Sequence, residues 1–136
     1  MALHFDAAAL AHVARERARR APDAVLIVTI GRIAARGSVH TLELSWSRRH
    51  KAERTAVLVP APPVGDVPVY VHVRLDRYLR WHDVQVLASR CLWRERLVVS
   101  DEIAVLVELA HWEFTHPGMA ANHPAVRSAH PSSLAL

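Results

Sequence analysis

The chain has a single cysteine, Cys91, among its 136 residues. One thiol cannot close an internal disulfide, which suits a reducing compartment. No apolar run reaches the ~18 residues that read as a membrane-spanning helix. The opening "MALHFDAAAL" lacks a basic region followed by an apolar stretch and a small-residue cleavage site, so it does not read as a secretory signal. These absences predict a cytoplasmic protein with no membrane contact. Lysine is nearly missing as well: Lys51 is the only one, and the rest of the positive charge is arginine. Glycine-rich phosphate loops, serine-nucleophile elbows, and HExxH and CxxC frames are absent, which removes the sequence signatures of those chemistries. There is no repeat on the scale of a solenoid.

What is present is enough apolar material for one core. Hydrophobic residues make up 51% of the chain, and this length suits one domain. The pattern predicts a domain over residues 1–114 and a flexible tail over 115–136. In that tail His116-Pro117, His123-Pro124 and His130-Pro131 recur every seven residues. Proline at that density forbids a continuous helix.

The first element reads as a helix: Asp6 is a good N-cap before "AAALAHVARERARRA". Its apolar stripe is expected at Ala7, Leu10, Val13 and Ala14. "AVLIVTI", Ala24 to Ile30, reads as a buried strand, and "GRIAARG" as a turn or an irregular passage. "SVHTLELSW" alternates as a half-buried strand, "SRRHKAER" as a charged connection, and "TAVLVP" as a short strand closed by the loop "APPVGD". Val67 to Val73 alternates again and leads into a short helix around Leu75 to Trp81. "DVQVLA" reads as a strand or an irregular segment and "LWRERLVV" as a strand. "SDEIAVLVELAHWEF" fits two periods. The Ser100 cap and the acidic Asp101 and Glu102 favour a helix, with Ile103, Leu106, Val107, Ala110 and Phe114 as its stripe.

A helix, several strands and a strand–helix unit make an α+β pattern. The expected architecture is an N-terminal helix and a mostly antiparallel or mixed β-sheet, sandwich-like, with a short helix. In this order the segments "LHFDAAALAHVARERARR", "DAVLIVTIGRIAARGSVHTLELSW" and "DVPVYVHVRLDRYL" resemble the HesB/IscA family of A-type iron–sulfur assembly proteins, over Leu3 to Val99. The resemblance implies a HesB/IscA-like fold and a link to iron–sulfur or iron metabolism. The family's ligands are three cysteines, one in the glycine-rich passage and a Cys-Gly-Cys near the C-terminus. Here "GRIAARGSV" and "HWEFTHPG" hold none, and Cys91 in "ASRCLW" matches neither place. No family ligand carries over, because thiolates hold such a cluster.

The remaining candidates are few. Tyr70, His72 and Arg74 alternate on the polar face of one strand, where an acid–base pair can be built. No acidic orienting partner accompanies them in sequence, and an ordinary solvated face explains them as well. Cys91 lies near Arg90 and Arg94, which stabilise a thiolate, yet no base is identifiable beside it. His111, His116 and His123 are candidate ligands for a divalent metal, with Glu113 near them. "SRRHKAER" is the densest basic run, without the aromatic interleaving of an RNA-binding platform. The expectation is a non-catalytic binding or accessory protein with no cofactor. Its partner is another protein or a second copy covering exposed edges. The alternatives are a histidine-based metal protein or metalloenzyme, and a basic nucleic-acid module.

Overall fold

The computed structural model describes residues 2–33 and 39–116, and among these the chain forms four helices and seven strands, the strands arranged in two sheets. The smaller sheet has the order β1-β6-β7, with β1 (Leu3–Phe5), β6 (Val84–Cys91) and β7 (Arg94–Val99). The larger has the order β3-β2-β5-β4, with β2 (Ala24–Ile33), β3 (Val39–Arg48), β4 (Leu58–Val64) and β5 (Val67–His72). The pairs β1–β6 and β2–β5 are parallel; the other three are antiparallel. The expected α+β class with mixed, layered sheets is therefore observed. No helix among the described residues is long and apolar enough to cross a membrane.

Both central strands lie where they were expected, β2 in the β-branched run and β5 in the alternating one. Leu26 and Val28 of β2 and Val69 and Val71 of β5 are almost fully buried in the main core. On the back of the same sheet, Val25, Ile27 and Tyr70 form a second, smaller core. The element that covers it is α2 (Arg49–Arg54), built from the run expected to be a charged connection. Ala52 has no exposed surface and packs on this back face. A short helix with one apolar residue carries no period, so it reads as a loop.

Two strands run farther than expected. β2 runs through Gly31 to Ile33, the first three residues of "GRIAARG", and the rest of that stretch lies outside the described residues. Gly31 pairs with Thr41, and the space a Cβ would take there is filled by the end of the Glu43 side chain, 2.5 Å away. β4 continues through Pro62 and Pro63, which were assigned to a loop. It is an edge strand, and its register shifts between Ala61 and Val64. Edges and bulges are where prolines cost a sheet no hydrogen bond.

The helices α1 (Ala7–Arg19), α3 (Val73–Leu79) and α4 (Glu102–Thr115) correct their expected faces or limits. Asp6 caps α1 by accepting from the Ala9 amide at 2.7 Å. The buried positions are Ala9 and Val13, while Leu10 is 47% exposed. Polar anchors set this rotation: His12 and Arg15 reach Glu95 on β7, and the Asp6 amide donates to the Val86 carbonyl of β6. α3 begins at Val73, two residues earlier than predicted, and β5 therefore ends at His72. The ambiguous segment is helical as α4, but its N-cap is Asp101 in a left-handed conformation rather than Ser100. Val105, Leu109 and Trp112 face the core, leaving Ile103, Val107 and Phe114 at 77%, 63% and 84% exposure. The helix is apolar on both faces, and local spacing alone selects neither.

Candidate functional site

The densest polar cluster lies where α3 meets α4. It begins at His72, the last residue of β5, whose Nδ1 accepts from the Arg74 amide at 3.1 Å and caps α3. Arg74 points across to α4 and makes a two-pronged pair with Glu113: Nε donates at 2.9 Å and Nη2 at 2.7 Å. Such forked pairs fix geometry as well as supplying energy. One helical turn along, the Arg77 Nη2 lies 3.7 Å from the same carboxylate. Arg77 is only 6% exposed. Its Nε and Nη1 find no hydrogen-bond partner among the described residues. Tyr78 completes the contact, its hydroxyl donating to Glu108 at 2.5 Å.

Electrostatics follow from this packing. One carboxylate serves two guanidinium groups. Burial, followed by the charges of Arg74 and Arg77, pushes the His72 imidazole below its usual range. Burial weakens the hold of Arg77 on its proton, with Glu113 opposing, while the Glu113 hydrogen bond strengthens that of Arg74. Burial and the bond to Glu108 raise the Tyr78 phenol, which keeps it a donor.

The neutral state of His72 has a measurable consequence. Its folded pKa lies below the ordinary 6.5. The unfolded chain therefore takes up the proton first, and folding stability falls as pH drops through this range. Protonation also removes the acceptor that caps α3. The urea midpoint should decline between about pH 6.5 and 5, and His72→Asn should flatten that decline, because asparagine caps without titrating. An unchanged slope in His72→Asn would show that another group controls it.

The structure separates the trio expected on one strand face. Tyr70 is buried under α2, its hydroxyl 3.3 Å from Glu53. His72 is half-buried at the strand end, and Arg74 belongs to α3 rather than to a strand. The chain turns helical at Val73, so the period-two face stops there. Cys91 closes β6 opposite Arg94.

Of the histidines singled out, His111 and His116 line a shallow surface cleft of about 540 Å³ with His82, Glu108 and Trp112. His82 stacks on Tyr78 at 4.2 Å, and His116 on Trp112 at 5.0 Å. Each also spends its Nδ1 on a backbone carbonyl. His123 and the rest of the tail lie outside the described residues. Among the described residues, no group of three His, Cys, Asp or Glu side chains is gathered to hold a metal ion. Arg77, Glu108 and His82 were not singled out from sequence. Only the spacing of Tyr78 and His82, one turn apart, hinted at one of their contacts.

No family model matches the chain, and no curated protein matches it in sequence. Among solved structures, the fold is similar to that of Escherichia coli SufA, described as involved in biosynthesis of iron–sulfur clusters. The TM-score is 0.52 at 10% identity, covering 74% of this chain and 80% of that one. SufA is a HesB/IscA-family protein, so the likeness is to the expected fold. At this identity it concerns fold alone.

Proposed function

We propose that this chain is a non-catalytic binding or accessory protein on a HesB/IscA-like scaffold, associated with iron–sulfur or iron metabolism without holding a cluster itself. The observation that carries the reading is how the α3–α4 cluster spends its polar atoms. Arg74 is forked onto Glu113, Tyr78 is bonded to Glu108, and His72 caps a helix. These groups hold two helices together and leave no nucleophile with a free base beside it. The likeness to SufA supplies the connection to cluster biogenesis. The single cysteine supports the absence of a cluster, since one thiolate does not make a ligand set.

Anaerobic reconstitution with ferrous iron and sulfide tests it. After desalting, the protein should retain iron and sulfide well below one equivalent per chain and show no charge-transfer absorbance in the visible. A stoichiometric brown chromophore would overturn the proposal.

A further inference from the structure

The net charge of this protein sits at one end of the fold. The segments 16–23 and 48–54 contain seven of the 17 cationic side chains and only three of the 13 acidic ones, which accounts for the whole formal charge of +4. The fold brings the two runs together. Arg48 Nε donates to Asp23 at 2.7 Å, and the Arg49 amide donates to the Asp23 carbonyl at 3.0 Å. Arg20 lies over the Trp46 ring, 5.1 Å from its centroid. Between the end of α1 and the start of α2 is a concavity of about 430 Å³, lined by Arg20, Trp46, Arg48 and Lys51 among others.

Three features of this face limit what fits it. First, each of the three acids already has a partner: Asp23 has Arg48, Glu16 has Arg19 and Arg20, and Glu53 accepts from the Tyr70 hydroxyl. Arg49, Lys51 and Arg54 are exposed, and no ion pair to them is found among the described residues. Second, no large exposed hydrophobic residue lies in either segment. A membrane-docking face needs an apolar anchor beside its charge, and a protein interface depletes charge at its core. Third, six of the seven cations are arginine, whose fork matches phosphate. Protein–nucleic acid interfaces are polar, positive and wet.

We infer that the face formed by the C-terminal end of α1 and by α2 binds the phosphate backbone of nucleic acid without reading its sequence. This goes beyond the accessory role proposed above and does not rest on it. Trp46, half-buried beneath Arg20, stiffens the guanidinium rather than offering a stacking platform. Affinity is therefore set by charge and falls steeply with salt.

Fluorescence anisotropy with labelled oligothymidylate and labelled duplex DNA tests it on the full chain. Binding should be micromolar at low salt, with log affinity falling against log salt at a slope of about −3 to −4. Lys51→Glu with Arg54→Glu should weaken binding at least tenfold and flatten the slope by about two. Both sites are exposed, so an unchanged circular dichroism spectrum will show the fold intact. The matched reversals Arg90→Glu and Arg96→Glu, on β6 and β7, should leave affinity within a factor of two or so. Absence of binding at low salt overturns the inference, as does equal weakening by the two pairs. Equal competition by polyglutamate also overturns it, by assigning the face to acidic protein.

Discussion

Glu113→Ala should lower the unfolding free energy by about 3 kcal/mol, near the cost of removing one partner from a buried ion pair. The reason is the guanidinium it leaves behind. Arg77 is 7% exposed at its side chain, and Glu113 is the carboxylate nearest its Nη2 in this cluster. Without Glu113, Arg74 swings to solvent, but Arg77 has no such route. The contrasting substitution is Arg77→Met. It removes two nitrogens that already lack partners and keeps the aliphatic packing, while Glu113 retains its forked pair with Arg74. It should cost less than about 1 kcal/mol or stabilise the protein, as apolar replacement of buried charge often does. Urea denaturation of both variants, with unchanged m-values, checks the pair of signs. A loss below about 1 kcal/mol in Glu113→Ala would mean that the cluster is solvated and does not hold α4.

Tyr78→Ala should cost about 4 kcal/mol, the scale of emptying a buried aromatic site. Tyr78 is among the largest fully buried side chains, at 1% exposure. Its ring supports His82 on one face and its hydroxyl ties α3 to α4. Tyr78→Phe separates these contributions. It keeps the ring and loses only the bond to Glu108, whose carboxylate is exposed and regains water. The expected cost is about 1 kcal/mol. If alanine and phenylalanine cost the same, the ring is not packing as placed.

The layered α+β pattern was legible because the central strands and α1 carry strong local signals. Val67 to His72 alternates because Val67, Val69 and Val71 fill the main core while Pro68, Tyr70 and His72 face the other side, where only Tyr70 joins a core. The pattern misled where two faces are alike. α4 offers Val105, Leu109 and Trp112 on one side and Ile103, Val107 and Phe114 on the other, and only tertiary packing decides between them. α2 was invisible because one alanine makes its whole core contact. Prolines hid the second half of β4, which is tolerated only at a sheet edge. The α3–α4 cluster joins residues 39 apart, such as Arg74 and Glu113. No periodicity in either segment signals that Arg77 is buried or that a single carboxylate answers two arginines. The basic face was half visible: "SRRHKAER" stood out, but the matching run at the end of α1 joins it only through the β2–β3 hairpin.

The parallel pairing of β1 with β6 orders events in time. Leu3 pairs with Val84 and Phe5 with Val86, so β1 is synthesised long before the strand it pairs with. Through that interval the partly buried Leu3 and Phe5 are exposed on a nascent chain growing by ~5–20 residues per second. The larger sheet does not wait, since β2 to β5 are complete by His72. Synthesis therefore delivers a four-stranded half first. The three-stranded half follows, built around β6, which lies between β1 and β7.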